Sequence, residues 1–178
     1  NLKQTLKNTD MILYNSEQTK RTTEEIFPEA KSIANVNAYI ISNPVKKQWD
    51  NKDDDYFLYV GNMEKRKGVD LLIKGYLQYK SRGGKKKLIL GGKMQEEEIN
   101  QIVRSAMMLD EDITYLDYVT HDKKHELYAS MSAFVFPSKA EGFGMPIIEV
   151  MRFKKPIIAS NLPIFDKITD GNINTFNI

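Results

Sequence analysis

Ala133-Phe134-Val135-Phe136-Pro137-Ser138-Lys139-Ala140-Glu141-Gly142-Phe143-Gly144-Met145-Pro146-Ile147-Ile148-Glu149 is the stretch that decides how this chain folds. Its first four residues are apolar throughout, the composition of a strand buried on both faces and hence of a parallel sheet. A helix is predicted over Met145–Phe153, with Pro146 suited to the first helical position, where its missing N–H costs nothing. Strand, glycine loop and helix make a βα unit. The loop therefore lies at the carboxyl end of a strand, where open α/β sheets bind ligands. Gly142 and Gly144 allow the backbone to approach a ligand closely. The N–H groups at a helix start favour an anion, and a diphosphate is the natural candidate.

Outward from this unit, short apolar runs alternate with amphipathic stretches, which predicts a Rossmann-like, doubly wound parallel sheet. Strands are expected at Tyr56–Val60, Lys87–Leu90, Ile113–Val119, Ala133–Phe136 and Pro156–Ser160. Helices are expected at Val69–Tyr79, Glu96–Leu109 and His121–Met131, followed by a helical turn at Phe165–Thr169 and a ragged end at Ile173–Ile178. Nearer the start, Met11–Tyr14 reads as a strand and Ser16–Phe27 as a helix, with Thr22-x-x-Glu25 as a candidate capping box. A further apolar run covers Val36–Ile41, and the polar segment Lys46–Asp55 is the most linker-like in the chain. Residues 1–45 are read as the end of a preceding domain and its connection, and 46–178 as the ligand-binding domain.

Composition narrows the function classes. The chain has 178 residues, with 41% hydrophobic and 28% charged residues, typical of a soluble globular domain. A net charge of +2 is too balanced for a nucleic-acid binder. With no cysteine, disulfides, thiolate metal sites and a cysteine nucleophile are excluded, in agreement with a cytosolic protein. No apolar stretch approaches the roughly 20 residues that span a bilayer. His121 and His125 have the i, i+4 spacing of a zinc pair but no third ligand, so a solvated helix start is the expectation. Lys80–Lys87 reads as a helix-to-strand loop rather than a membrane patch. Gly91-Gly92-Lys93 lacks the spacing and the hydroxyl residue of a P-loop and reads as a turn.

Two carboxylates bracket the glycine loop. Glu141 and Glu149 are expected to reach one pocket and to accept hydrogen bonds from sugar hydroxyls beside bound phosphates. The alternative is that Glu149 simply favours its helix N-terminus and Glu141 is a surface loop residue.

Glu141 to Glu149 resembles the E-x7-E motif, in its EGFG-x-P setting, of retaining GT-B glycosyltransferases of the "glycosyl transferases group 1" type. The resemblance continues through Val150-Met151, Lys155–Asn161, Tyr59-Val60-Gly61, Arg66-Lys67-Gly68-Val69 and Asp70–Ile73. Met11–Lys20, with Asn15-Ser16-Glu17, resembles the last strand and helix of the family's N-terminal domain, and Asn43-Pro44-Val45 the entry to its C-terminal domain. It implies a nucleotide-sugar-binding domain that stops before the family's final crossover helix. It also implies a glycan or lipid-linked acceptor bound by an N-terminal domain outside this sequence, so that this part alone binds without turnover.

By the same resemblance, Glu141 lies against the donor sugar and Glu149 binds the ribose. The backbone at Gly142, Phe143, Gly144 and Met145 holds sugar and phosphates, and Lys67 contacts the diphosphate as a catalytic cation. Gly61 ends the first strand of the domain. Asn62 follows it where many members have Arg, and Arg66 is the neighbouring basic residue. Tyr118 and Val119 fall where relatives contact the base. The implied activity is a hexosyltransferase of polysaccharide or glycoconjugate synthesis using a GDP-, UDP- or ADP-sugar, with no cofactor and no metal. It is expected in the cytoplasm, with peripheral contact at the inner face of the membrane. A nucleotide-sugar epimerase-like GT-B enzyme and a non-catalytic nucleotide-binding module remain as alternatives.

Overall fold

The computed structural model describes residues 2–37 and 52–178. Most of Lys46–Asp55, together with Asn43-Pro44-Val45 and positions 38–41 of the run Val36–Ile41, lies outside the described residues.

The chain opens with a short helix, α1 (Leu2–Lys7). Strand β1 (Met11–Tyr14) then pairs in parallel with β2 (Ala34–Asn37), Met11 opposite Ala34. Between them runs α2 (Glu17–Ile26), followed by a 3-10 turn at Pro28–Ser32. The cap of α2 is Ser16, whose hydroxyl accepts from the Thr19 N–H at 3.1 Å. Thr22 and Glu25 are in the helix interior, so the expected capping box is not the start of the element. Ser16 supplies the extended backbone that a cap needs, with φ −161° and ψ 158°.

The main sheet begins with β3 (Tyr56–Val60), α3 (Val69–Ser81), β4 (Lys87–Gly91), α4 (Glu97–Leu109) and β5 (Ile113–Leu116). It continues through α5 (His121–Ser130), β6 (Ala133–Phe136), α6 (Met145–Met151), β7 (Ile157–Ser160), α7 (Pro163–Thr169) and β8 (Asn174–Phe176). Six strands lie in the order β5-β4-β3-β6-β7-β8, every neighbouring pair parallel. The chain winds outward from β3 to β5, returns through α5, and winds out the other way from β6 to β8. The direction reverses between β3 and β6, which is the topological switch point of a doubly wound fold.

Burial explains the strands. Leu58, Tyr59, Leu88, Leu90, Phe134, Phe136 and Ala159 are fully buried, so the sheet centre is an apolar layer covered by helices. Phe134 and Phe136 stack at 5.6 Å, and Phe136 packs on Phe165 of α7 at 5.8 Å. Lys80 pairs with Asp112 at 2.6 Å and Lys86 with Asp55 at 2.7 Å, so these lysines of the basic stretch are ion-paired within the fold. Among the described residues, no helix is long and apolar enough to cross a membrane.

Several elements differ from the sequence expectation. β5 stops at Leu116, whose carbonyl accepts from Gly92 N–H at 3.0 Å, and the chain leaves the sheet before Val119. Helix α6 ends at Met151, short of Phe153, with Lys154 in the left-handed region at φ 52°. Helix α7 begins at Pro163 rather than Phe165. The expected ragged end contains the sixth strand, β8, in register with β7 through Ile158 opposite Asn174. His121 is exposed as expected, but His125 is only 7% exposed and packs against Phe153 at 5.7 Å. The two histidines share a face of α5, their ring centroids 4.3 Å apart, and that face runs inward so that His125 is covered while His121 is not. Among the described residues, no group of three or more His, Cys, Asp or Glu could hold a metal ion.

Candidate functional site

The site forms where two chain segments meet beyond the carboxyl ends of β3 and β6. After β3 the chain makes a 3-10 turn over Lys65–Lys67 and enters α3 through Gly68, at φ 69°. A Cβ at Gly68 would stand 2.0 Å from the Pro137 carbonyl oxygen, so the turn rests directly on the end of β6. Two hydrogen bonds close this contact. The Arg66 carbonyl accepts from Lys139 N–H at 2.8 Å, and the Arg66 guanidinium donates to the Ala140 carbonyl at 2.8 Å.

This junction brings Lys67 to Glu141. The ammonium lies 2.6 Å from Glu141 Oε1, with side chains only 15% and 9% exposed. Ser138 donates to the same oxygen at 2.7 Å, and the ammonium also sits 5.8 Å from the Phe136 ring centroid. Arg66 is spent on the loop backbone and on Glu64, at 3.3 Å, and does not stand beside Lys67 as a second free cation. Asn62 is exposed, and its carbonyl accepts from the Tyr59 hydroxyl at 2.9 Å.

The glycine loop is tied to the start of α2. Ser16 Oγ donates to the Gly142 carbonyl at 2.5 Å. Gly144 caps α6 in the left-handed conformation, φ 84°, so Met145 is the first helical residue and Pro146 the second rather than the first. Pro146 has no N–H, and that of Ile147 donates to Gly144 O at 3.0 Å. At seven residues α6 carries only a small dipole.

Glu149 projects from α6 onto α5. Lys124 Nζ lies 2.8 Å from its Oε1, and the Tyr128 hydroxyl donates to Oε2 at 3.0 Å. Burial, then the neighbouring Glu149 charge, raises the Tyr128 pKa well above its ordinary value, so its proton stays in place as a donor. Each carboxylate thus has its own ammonium. The repulsion expected between two glutamates and an anion is removed, because the two ion pairs sum to no net charge.

The carboxylates do not share one wall. A cleft of about 420 Å³ is bounded by Thr19, Thr22, Arg66, Glu141, Gly142 and Pro163, and Glu149 is not part of it. Tyr118 is 68% exposed with Lys93 over its ring at 5.9 Å, while Val119 packs over Gly91. Gly61 lies under the Tyr59 hydroxyl. Sequence reading missed Lys124, Tyr128, Ser138 and Ser16. The first two share one face of α5 by their i, i+4 spacing, but nothing in the sequence ties that face to Glu149.

Comparison with known proteins bears on this geometry. Residues 42–176 match the family described as "Glycosyl transferases group 1". The chain belongs to that family. Among group 1 glycosyl transferases and their relatives, it is 32% identical over 121 residues to the O-antigen chain mannosyltransferase B of Escherichia coli. That match covers 67% of this chain and 32% of the relative. Against the O-antigen chain mannosyltransferase RfbU of Salmonella typhimurium the identity is 27% over 154 residues, 84% of this chain and 43% of the relative. The chain therefore spans less than half the length of these group 1 relatives. The solved sucrose-phosphate synthase of Thermosynechococcus elongatus superposes with a TM-score of 0.74 at 22% identity, covering 99% of this chain and 47% of that one. Anabaena Alr3699/HepE, solved with UDP and glucose, gives 0.71 at 15% identity over 98% of this chain and 53% of that one. The likeness to these structures shows that the chain shares their α/β fold.

Proposed function

We propose that this domain binds the nucleotide-diphosphate sugar donor of a hexosyltransferase, which transfers the sugar with retention to a glycan or lipid-linked acceptor during polysaccharide synthesis. The observation that carries the reading is the Lys67–Glu141 pair, set beside a glycine loop at the switch point of a parallel sheet. Lys67 is suited to the diphosphate, whose charge grows as the nucleotide leaves. Phe143, Gly144 and Met145 offer backbone N–H groups to phosphate and sugar. Glu141 faces the sugar and Glu149 the ribose hydroxyls. Asn62 in place of arginine leaves Lys67 as the principal phosphate cation. The names of the O-antigen mannosyltransferases support a polysaccharide role, and the UDP and glucose in the Anabaena structure support a nucleotide-sugar donor. The acceptor would be held by an N-terminal domain, in the cytoplasm, with the intact enzyme in peripheral contact with the membrane.

Calorimetric titration of the full chain with GDP, UDP and ADP and with their sugar conjugates tests this. Glu149→Gln should weaken nucleotide and conjugate alike by roughly 1.5–3 kcal/mol, the worth of a charge-assisted hydrogen bond, or about ten- to a hundredfold. Glu141→Gln should cost more against the conjugate than against the bare nucleotide. Equal losses from both substitutions, or none, would sink the assignment. Metal is not required on this reading, because Lys67 and the loop N–H groups offset the phosphate charge. Binding that vanished with EDTA and returned with magnesium would contradict it.

A further inference from the structure

Helix α5 presents two polar side chains, Lys124 and Tyr128, to Glu149 on α6. Lys124 Nζ bridges both carboxylate oxygens, at 2.8 Å from Oε1 and 2.8 Å from Oε2. The Tyr128 hydroxyl donates to Oε2 at 3.0 Å. Tyr128 is itself packed into the core. It is fully buried, edge-on to Phe134 at 5.7 Å and against Phe153 at 5.6 Å. The carboxylate is therefore pinned by a donor that the core holds in place. Each oxygen then has one hydrogen-bond donor, Lys124 on Oε1 and Tyr128 on Oε2, and keeps one acceptor site open.

The pair is a poor device for stability alone. Lys124 and Glu149 side chains are each only 19% exposed. Removing two charges this far from water offsets most of their attraction, and two packed apolar side chains would serve as well. What the arrangement supplies is a carboxylate of fixed orientation with acceptor capacity left for an outside donor. Such preorganisation lowers the ordering cost of binding.

We propose that Lys124 is a positioning residue for donor binding: it orients Glu149, with Tyr128 as the fixed stop, so that the carboxylate's open acceptor site meets a ribose hydroxyl. The proposal rests on the reading of Glu149 as the ribose ligand. Lys124 acts through Glu149, so its effect should exist only where both Glu149 and the ribose hydroxyls are present.

The test is a set of calorimetric titrations of the full chain with GDP, UDP and ADP, and with the 2′,3′-dideoxy form of whichever binds. Lys124→Met should weaken ribonucleotide binding about five- to twentyfold, and Lys124→Arg should restore it to within about threefold, as expected for a charge-assisted contact. Against the dideoxy nucleotide, or in a Glu149→Gln background, the Lys124→Met loss should disappear. A purely structural role would weaken both nucleotides equally, and that result overturns the proposal. So does tighter binding by Lys124→Met, which would mean that the lysine competes with the ligand for Glu149. Should Lys124→Met fail to fold, Tyr128→Phe carries the same comparison, with about a two- to fivefold loss confined to the ribonucleotide. If the unsubstituted chain binds none of the three nucleotides, the proposed function falls and this inference with it. If it binds and Lys124→Met changes nothing, only this inference falls.

Discussion

Replacing Gly68 with alanine puts one methyl group where the two halves of the site touch. The added Cβ would lie 2.0 Å from the Pro137 carbonyl oxygen, 2.9 Å from its carbon and 3.3 Å from the Pro137 Cβ. Relief requires the Lys65–Lys67 turn and the end of β6 to part by more than an ångström, since ordinary contacts begin near 3.4 Å. The left-handed backbone alone costs a non-glycine residue about 1–2 kcal/mol. Forcing a methyl into a packed contact adds about 1–3 kcal/mol. The total is about 2–5 kcal/mol, which lowers the melting temperature of a domain this size by roughly 4–20 °C. Gly83→Ala is the control, because Gly83 is also left-handed, at φ 86°, yet nothing lies within 4 Å of its added Cβ. It should show only the backbone part, about 1–2 kcal/mol. Urea and thermal denaturation of both variants measure the difference. The damage should also reach the ligand, because parting the segments breaks the Arg66–Lys139 and Arg66–Ala140 bonds that bring Lys67 to Glu141. Nucleotide affinity in Gly68→Ala should fall at least about tenfold, the worth of one charged contact. Gly68→Ala with the stability of Gly83→Ala would refute the reasoning.

Two further outcomes follow from single side chains. Ser16→Ala removes the cap of α2 together with the donor to Gly142 and should destabilise the chain by about 1–2 kcal/mol in urea denaturation; a change under about 0.3 kcal/mol would mean that neither bond matters. Burial first, then the nearby His121 and Lys124 charges, hold the His125 pKa below its ordinary value, against the opposing pull of Glu149 and Asp122. The unfolded chain therefore takes up this proton first, so stability is unaffected above about pH 6.5 and is lost as pH falls below it. His125→Phe should flatten that loss relative to the unsubstituted chain, and parallel pH–stability curves would show that His125 has no part in it.

The central sheet was legible because its strands announce themselves. Tyr56–Val60, Leu88–Leu90 and Ala133–Phe136 are apolar runs closed by glycine or proline, as strands largely buried in a parallel sheet must be. Strand β8 was not legible, since Asn174 and Thr175 are polar and exposed; it exists because β7 offers a free edge, a tertiary fact. The cap of α2 was misplaced at Thr22 because the capping pattern is local, while its true start depends on where β1 ends. Within the site, the residue types and their order along the chain could be read, and Glu141 and Lys67 do meet. Their meeting depends on the close approach at Gly68, which spacing does not reveal. Lys124 escaped notice for a related reason. Its partner is 25 residues away on another helix, and an ion pair between helices leaves no periodic trace.

The bond from Ser16 to the Gly142 carbonyl joins residues 126 positions apart. It makes the glycine loop a joint as well as a cradle. Gly142 packs against Thr19 in the same helix, a Cβ there standing 3.1 Å from its hydroxyl. The loop cannot swing without either snapping this link or pulling α2 along with it. Any tilt of the leading segment is therefore felt at the glycine loop, and any ligand that stiffens the loop also braces that segment. One backbone carbonyl acts as the lever between them.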